Sequence, residues 1–137
     1  REDFVFSGSS NLRVCETYDE LSNLETGEHY VSGAGIPKRS EYQDYGLISS
    51  FPGPSGNQFL IIAGTRDAGV LEAAHLVSDS DGVELLEKSI SNSAGGASAF
   101  EALYRVAGFD RTNLDANLVH FSVLDRNLIW GSEGLVQ

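Results

Sequence analysis

The sequence has few cysteine, methionine and basic residues. It contains one cysteine, Cys15, and no methionine, and nine Lys and Arg residues stand against twenty Asp and Glu residues, for a formal charge of −11. A single cysteine excludes an intrachain disulfide and is typical of a reducing, cytoplasmic compartment. The shortage of basic residues argues against nucleic acid and anionic membrane surfaces as partners, because both need clustered positive charge.

Long apolar runs are also missing. The longest candidate, residues 59–63, is far shorter than the roughly 18 residues that span a bilayer, so no membrane segment is expected. The 137 residues suit one compact domain. Because the chain begins with Arg and contains no Met, we expect it to be a fragment of a longer polypeptide.

The first third of the chain gives a mixed pattern. Residues 3–11 favour a strand that enters a loop of small polar residues. Apolar residues then recur every three or four positions over residues 12–25, which predicts an amphipathic helix with Cys15 on its buried side. Residues 28–44 are polar and rich in Gly and Ser, which indicates a loop with at most one short strand.

The rest of the chain alternates between strands and helices. Two strands at 45–51 and 58–65, joined by the turn sequence PGPSGN, predict an antiparallel hairpin. Helices are expected at 68–77 and at 83–90, the second capped by Asp81, and strands at 100–109 and 117–130. Residues 100–109 also fit a helix, and the alternation of Phe100, Ala102, Tyr104 and Val106 favours the strand. Strands interleaved with helices predict an α/β fold: one layered Rossmann-like domain with a mixed, mostly parallel sheet and helices packed on it.

The segment AGTRDAG lies between a predicted strand and a predicted helix. Free backbone N–H groups at a helix start favour anions such as phosphate. Gly64 and Gly69 would let a ligand approach the backbone, Thr65 offers a hydroxyl, and Arg66 offers a bidentate partner for an anion. The alternative is a plain strand-to-helix turn with Asp67 as the helix N-cap.

The segment FSGSSN has the same order of strand, small polar loop and predicted helix. In a parallel sheet its loop would lie beside AGTRDAG, at the strand ends where α/β domains bind ligands. Taken alone, the loop is better explained as a simple capped turn. Its candidate ligand-binding residues are Ser7, Gly8, Ser9, Ser10 and Asn11.

Three further side chains carry weaker signals. Glu72 lies one turn into the helix, where it is suited to a ribose hydroxyl or acid–base role, or simply to the helix dipole. His75 follows three residues later, but two ligands do not make a metal site, so neither a metal nor a cofactor is predicted. His29 and His120 have no partners that the sequence identifies. The fingerprints of P-loops, dinucleotide-binding loops and Ser-hydrolase elbows are missing.

Four pieces of the sequence carry a resemblance: FVFSGSSN, DYGLI, FPGPSGN and IIAGTRDAGVLEAA. Together they resemble an uncharacterised class of bacterial Rossmann-like domains. The glycine segment is similar in layout to the nucleotide-binding loop of the SLOG superfamily, with Gly64-Thr65 and Glu72, or Gly69-Val70, in the matching places. The resemblance implies nucleotide or NAD-derived ligands and a role as a sensor or effector module, and some members hydrolyse N-glycosidic bonds.

Three functions remain open on these observations. The first is a sensor or effector module that binds a nucleotide or related phosphorylated small molecule. The second is an N-glycosidase or transferase in which Glu72 acts as the acid–base or ribose-binding group. The third is a structural module without a ligand, including a homo-oligomerisation domain. The decisive question is whether the two small-residue loops share one crevice.

Overall fold

The computed structural model describes residues 4–5, 9–15, 19–33, 40–92, 98–110 and 112–130. Within these ranges the chain forms eight strands and three helices. None of the helices in these ranges is long and apolar enough to cross a membrane. The elements are, in chain order, β1 (Phe4–Val5), β2 (Leu12–Val14), β3 (Glu20–Asn23), β4 (His29–Val31), β5 (Glu41–Pro52), β6 (Gln58–Gly64), α1 (Asp67–Ser78), α2 (Ser80–Asn92), β7 (Phe100–Phe109), β8 (Thr112–Val123) and α3 (Arg126–Trp130).

The strands form two antiparallel sheets. The N-terminal sheet has the order β1-β2-β3-β4, and the central sheet has the order β6-β5-β7-β8. Every strand pairing in the described residues is antiparallel. The predicted Rossmann-like α/β fold with a mostly parallel sheet is therefore wrong. The helices α1 and α2 connect β6 to β7, but β5 lies between these two strands and pairs antiparallel with both. No helical connection in the described residues therefore places two parallel strands side by side, as a Rossmann-like sheet requires.

The central sheet is covered on both faces, which gives the molecule three layers. The N-terminal sheet packs on one face and α1 and α2 pack on the other, so β5 and β7 are buried on both sides. Between the N-terminal sheet and the central sheet, the buried side chains are Leu12, Leu21 and Tyr30 packed on Tyr45, Leu47 and Leu103. Between the helices and the central sheet, they are Ala73 and Leu86 packed on Ile48, Phe100, Ala102 and Tyr104.

The helix predicted over residues 12–25 is wrong. Strands β2 and β3 occupy its described part, and Leu12 pairs with Asn23 across the two strands. Its apolar positions also fit two short strands, since Leu12 and Leu21 both face the core while their neighbours do not. Cys15, expected on a buried helix face, is only half-buried.

Most later elements are confirmed with small changes. The hairpin is β5–β6, with Phe51 opposite Phe59, and the two predicted helices are α1 and α2. The expected cap of α2 is wrong, because Asp79 rather than Asp81 accepts the N–H of Gly82, at 3.3 Å. The last predicted strand ends early: β8 stops at Val123 and α3 follows.

Candidate functional site

Asp44 holds the AGTRDAG corner against the central sheet. This side chain is fully buried. One carboxylate oxygen accepts the N–H of Gly69 at 2.6 Å, and the other accepts the hydroxyls of Ser32, at 2.7 Å, and of Thr65. The N–H group expected to grip an external anion therefore binds an acidic residue of the chain itself.

The start of α1 depends on this contact. The helix begins at Asp67, and its N-cap residue, Arg66, makes no capping bond with its side chain. The alternative role of Asp67 as N-cap is therefore wrong. Asp44 performs the same task from the neighbouring strand, because its oxygen accepts an N–H of the first turn.

Two glycines bring α1 into direct backbone contact with β5. A Cβ atom on Gly46 would overlap the carbonyl oxygen of Gly69, and a Cβ atom on Gly69 would overlap the carbonyl of Tyr45. Gly69 is therefore required for close helix–strand packing in the described structure. Ala73, one turn later and fully buried, continues the same contact.

Arg66 has a carboxylate partner within the chain. Its Nε lies 3.1 Å from Oδ1 of Asp19, and its terminal nitrogen lies 2.9 Å from Oδ2. This is the bidentate geometry that the sequence suggested for an external anion. The hydrogen bond and the charge of Asp19 raise the pKa of Arg66 above its usual value.

Glu72 takes part in a link between α1 and the far end of the central sheet. It accepts a hydrogen bond from Nδ2 of Asn113 at 3.2 Å, and the same nitrogen donates to the carbonyl of Ala68. The Tyr42 hydroxyl donates to the Asn113 side-chain oxygen at 2.5 Å. Burial, with smaller contributions from the charges of Asp44 and Glu72, raises the pKa of Tyr42.

The serine loop is held by a second buried acid, Glu101 of β7. Ser10 donates its hydroxyl to Glu101 Oε2 at 2.5 Å, and the backbone N–H of Asn11 donates to Oε1 at 3.0 Å. Ser9 accepts the backbone N–H of Asp125 at 2.6 Å. The other two candidate residues of this loop, Ser7 and Gly8, lie outside the described residues.

Glu101 also contacts a buried histidine. Nε2 of His120 lies 3.0 Å from Oε1 of Glu101, and Nδ1 lies 3.1 Å from Nδ2 of Asn23. Because the Asn23 amide nitrogen can only donate, these partners assign the ring proton to Nε2. Ser10 contacts the acid rather than the imidazole, so this is not the order of a Ser–His–acid catalytic triad.

The two loops lie on opposite faces of the central sheet. Ser49 of β5 is paired with Glu101, and Asp44 lies five positions earlier on the same strand. An odd separation turns two side chains to opposite faces, and five residues of strand span about 17 Å. Glu101 therefore faces the N-terminal sheet, whereas Asp44 faces α1, and the loops do not share the crevice expected for a parallel sheet.

A cavity lies instead where the end of β4 meets the start of β5. β6 leaves the sheet at Gly64, and beyond that point the backbone N–H of Gly33 donates to the Gln43 carbonyl at 2.7 Å. The open space beside this contact, which we term the β4–β5 cleft, has a volume of about 480 Å³. Its described lining residues are Val31, Ser32, Gly33, Glu41, Tyr42, Gln43 and Ala107.

Two features connect the cleft to its surroundings. The amide nitrogen of Gln43 donates to the Tyr45 hydroxyl at 2.8 Å, which orients the Gln43 side chain at the cleft. Burial raises the pKa of Tyr45, against an opposing effect of the charge of Arg105. Ser32 joins the cleft wall to Asp44, so the AGTRDAG corner and the cleft share one buried acid.

Sequence reasoning missed the residues that organise these sites. Asp44, Glu101 and His120 come from strands far apart in the chain, and only their antiparallel register brings them to their loops. One signal was available for two of them. Asp44 directly precedes the segment YGLI of β5, and Glu101 lies between Phe100 and Ala102 of β7. An acid beside such apolar positions is a candidate for burial, and a buried acid needs several hydrogen-bond donors.

Comparisons with known proteins give no relative. No family model matches the chain, and searches of curated proteins and of solved structures found no match. The resemblance to SLOG nucleotide-binding domains therefore rests on the sequence pieces alone. Its Rossmann-like part is corrected by the two antiparallel sheets.

Proposed function

We propose that this domain is a sensor or effector module that binds a small polar molecule in the β4–β5 cleft. The observation that carries the proposal is the cleft itself, whose volume of about 480 Å³ falls in the range typical of small-molecule sites. The proposal includes a cytoplasmic location, supported by the single cysteine.

The walls of the cleft are fixed by hydrogen bonds. Ser32 is anchored on Asp44, Gly33 is paired with β5, and Gln43 is oriented by Tyr45. Side chains and backbone that are already ordered lose little conformational entropy when a ligand binds. The β4–β5 cleft is therefore pre-organised for recognition.

The chemistry of the lining favours a ligand with hydrogen-bond donors. Among the lining residues, Gln43 and Glu41 each carry a side-chain acceptor, and the described lining residues include no cation. The amino edge of a nucleobase meets this requirement, so a nucleotide-like ligand stays our leading prediction, bound through its base. The phosphate-gripping role of Arg66 is replaced in this proposal, because Asp19 already pairs with that guanidinium.

Thermal unfolding in the presence of nucleosides, nucleotides, cyclic nucleotides and NAD tests the proposal. A ligand at about 100 times its Kd should add about 2.7 kcal/mol to the free energy of unfolding. Gln43→Ala should remove this stabilisation, whereas Gln58→Ala, a change of the same type on the exposed strand β6, should leave it intact. Stabilisation by no compound in the set would favour the structural alternative. Equal effects of the two variants on an observed stabilisation would show that the ligand does not bind through Gln43 in the β4–β5 cleft.

A further inference from the structure

Three metal-ligating side chains meet on the outer face of the N-terminal sheet. Cys15 directly follows β2, Glu20 begins β3, and His29 begins β4. The Cys15 thiol, one carboxylate oxygen of Glu20 and one ring nitrogen of His29 all lie within 4.8 Å of one another. Sulfur, oxygen and nitrogen donors of these three types form the ligand sets of zinc sites.

The sheet itself determines this meeting. The backbone N–H of Cys15 donates to the Glu20 carbonyl at 3.0 Å, which holds the two residues side by side. His29 is paired with Ser22, two residues from Glu20 on the same face of β3. Because Leu21 and Tyr30 point into the core, the alternating residues Glu20 and His29 point outward.

The three side chains need only small movements to hold an ion. Ligand atoms of a tetrahedral zinc site are about 3.3–3.8 Å apart, given bonds of about 2.0–2.3 Å. His29 Nδ1 and Glu20 Oε1 are already 2.8 Å apart, joined by a hydrogen bond. A bound ion would displace the proton of that hydrogen bond and the thiol proton of Cys15 to solvent, and the resulting thiolate would form the third bond.

We propose that Cys15, Glu20 and His29 form a binding site for Zn²⁺, or for a divalent ion of similar softness. A thiolate with an imidazole selects such ions over Mg²⁺ and Ca²⁺, which prefer all-oxygen sites. With His29 58% exposed, a fourth coordination position faces solvent and can take water or an external ligand. The site is independent of the β4–β5 cleft, so either proposal can fail without the other.

Cobalt(II) spectroscopy on the untagged, reduced, metal-stripped chain tests this proposal. Titration should reach one equivalent, with a thiolate-to-cobalt charge-transfer band that Zn²⁺ removes and excess Mg²⁺ leaves unchanged. Zn²⁺ should also raise the Tm. Cys15→Ser should abolish the band, and His29→Gln and Glu20→Gln should each lower affinity by at least about 100-fold, since even outer-shell partners are worth 10–100-fold.

The control is His75→Gln, which removes an exposed histidine on α1 and should leave binding unchanged. His29→Gln changes an exposed side chain, so it remains informative even if Cys15→Ser fails to fold. The proposal is overturned if the wild-type chain shows no charge-transfer band. It is equally overturned if His29→Gln binds the ion as tightly as the wild type does.

Discussion

Asp44 and Glu101 are two buried acids that hold two similar loops in different ways. Within the described residues, Asp44 accepts from uncharged groups: two hydroxyls and a backbone N–H at the start of α1. Glu101 accepts from a hydroxyl, a backbone N–H and the ring of His120. The first acid fastens a helix to the central sheet, and the second fastens the N-terminal sheet to it. Similar sequence patterns thus serve different tertiary contacts, on opposite faces.

Removal of the Asp44 carboxylate should give the largest effect on stability. Asp44→Ala would remove the acceptor of the buried Gly69 N–H and of the two partly buried hydroxyls of Ser32 and Thr65, and we expect the free energy of unfolding to fall by about 3–5 kcal/mol. Urea denaturation measures the loss. The matched control is Asp67→Ala, which removes an exposed acid from the first turn of the same helix and should cost about 0.3–1 kcal/mol. Equal losses in the two variants would show that Asp44 does not organise the corner.

A smaller effect is expected at the second acid. In Glu101→Gln the amide oxygen can still accept from Asn11 and His120, and the amide nitrogen can donate to the Ser10 oxygen. We therefore expect a loss of about 1–2 kcal/mol in urea denaturation, because the bonds survive but lose their charge.

Glu28→Gln, at an exposed position, serves as the control for Glu101→Gln and should change stability little. A loss at Glu101 as large as that of Asp44→Ala would contradict the assigned pattern. It would mean that the network around Glu101 tolerates no exchange of donor and acceptor.

The smallest effect on stability is expected from alkaline pH, through two tyrosines in the contact between the N-terminal sheet and the central sheet. The rings of Tyr30 and Tyr45 lie 5.3 Å apart, and burial raises the pKa of both above the usual value of 10.0. A tyrosine whose pKa is raised on folding stabilises the folded state. This contribution is fully present below the unfolded-state pKa of 10.0, and it is lost as the pH rises through the folded-state pKa.

Urea denaturation from about pH 8 to about pH 11 should show this decline, with most of it above the unfolded-state pKa. Tyr45→Phe should reduce the decline, because the phenyl ring cannot ionise. A free energy of unfolding that stays constant up to the highest pH would mean that ionisation of these hydroxyls is not opposed by the fold.

The sequence predicted local structure well where the pattern had one interpretation. The turn PGPSGN and the apolar run after it led to the β5–β6 hairpin, and the helix at 68–77 is α1. Over residues 12–25 the apolar spacing fitted both a helix and two short strands, and only the core contact of Leu12 and Leu21 decides between them.

The sites were harder to predict because they depend on strand register. Glu101 meets Ser10, and Cys15 meets His29, through pairings between strands that no local pattern encodes. The assumption of a parallel sheet placed the two loops side by side. In the antiparallel arrangement the alternation along β5 separates them to opposite faces.

The contact between Gly46 and Gly69 has a consequence for tracing the ancestry of this chain. Alanine at either position would overlap the opposite backbone. Selection on a ligand can change with each new function, whereas this steric requirement stays as long as α1 lies on β5. Distant relatives whose binding residues have all diverged should therefore still have a glycine in the strand that corresponds to β5. They should have a second glycine in the first turn of the helix that corresponds to α1.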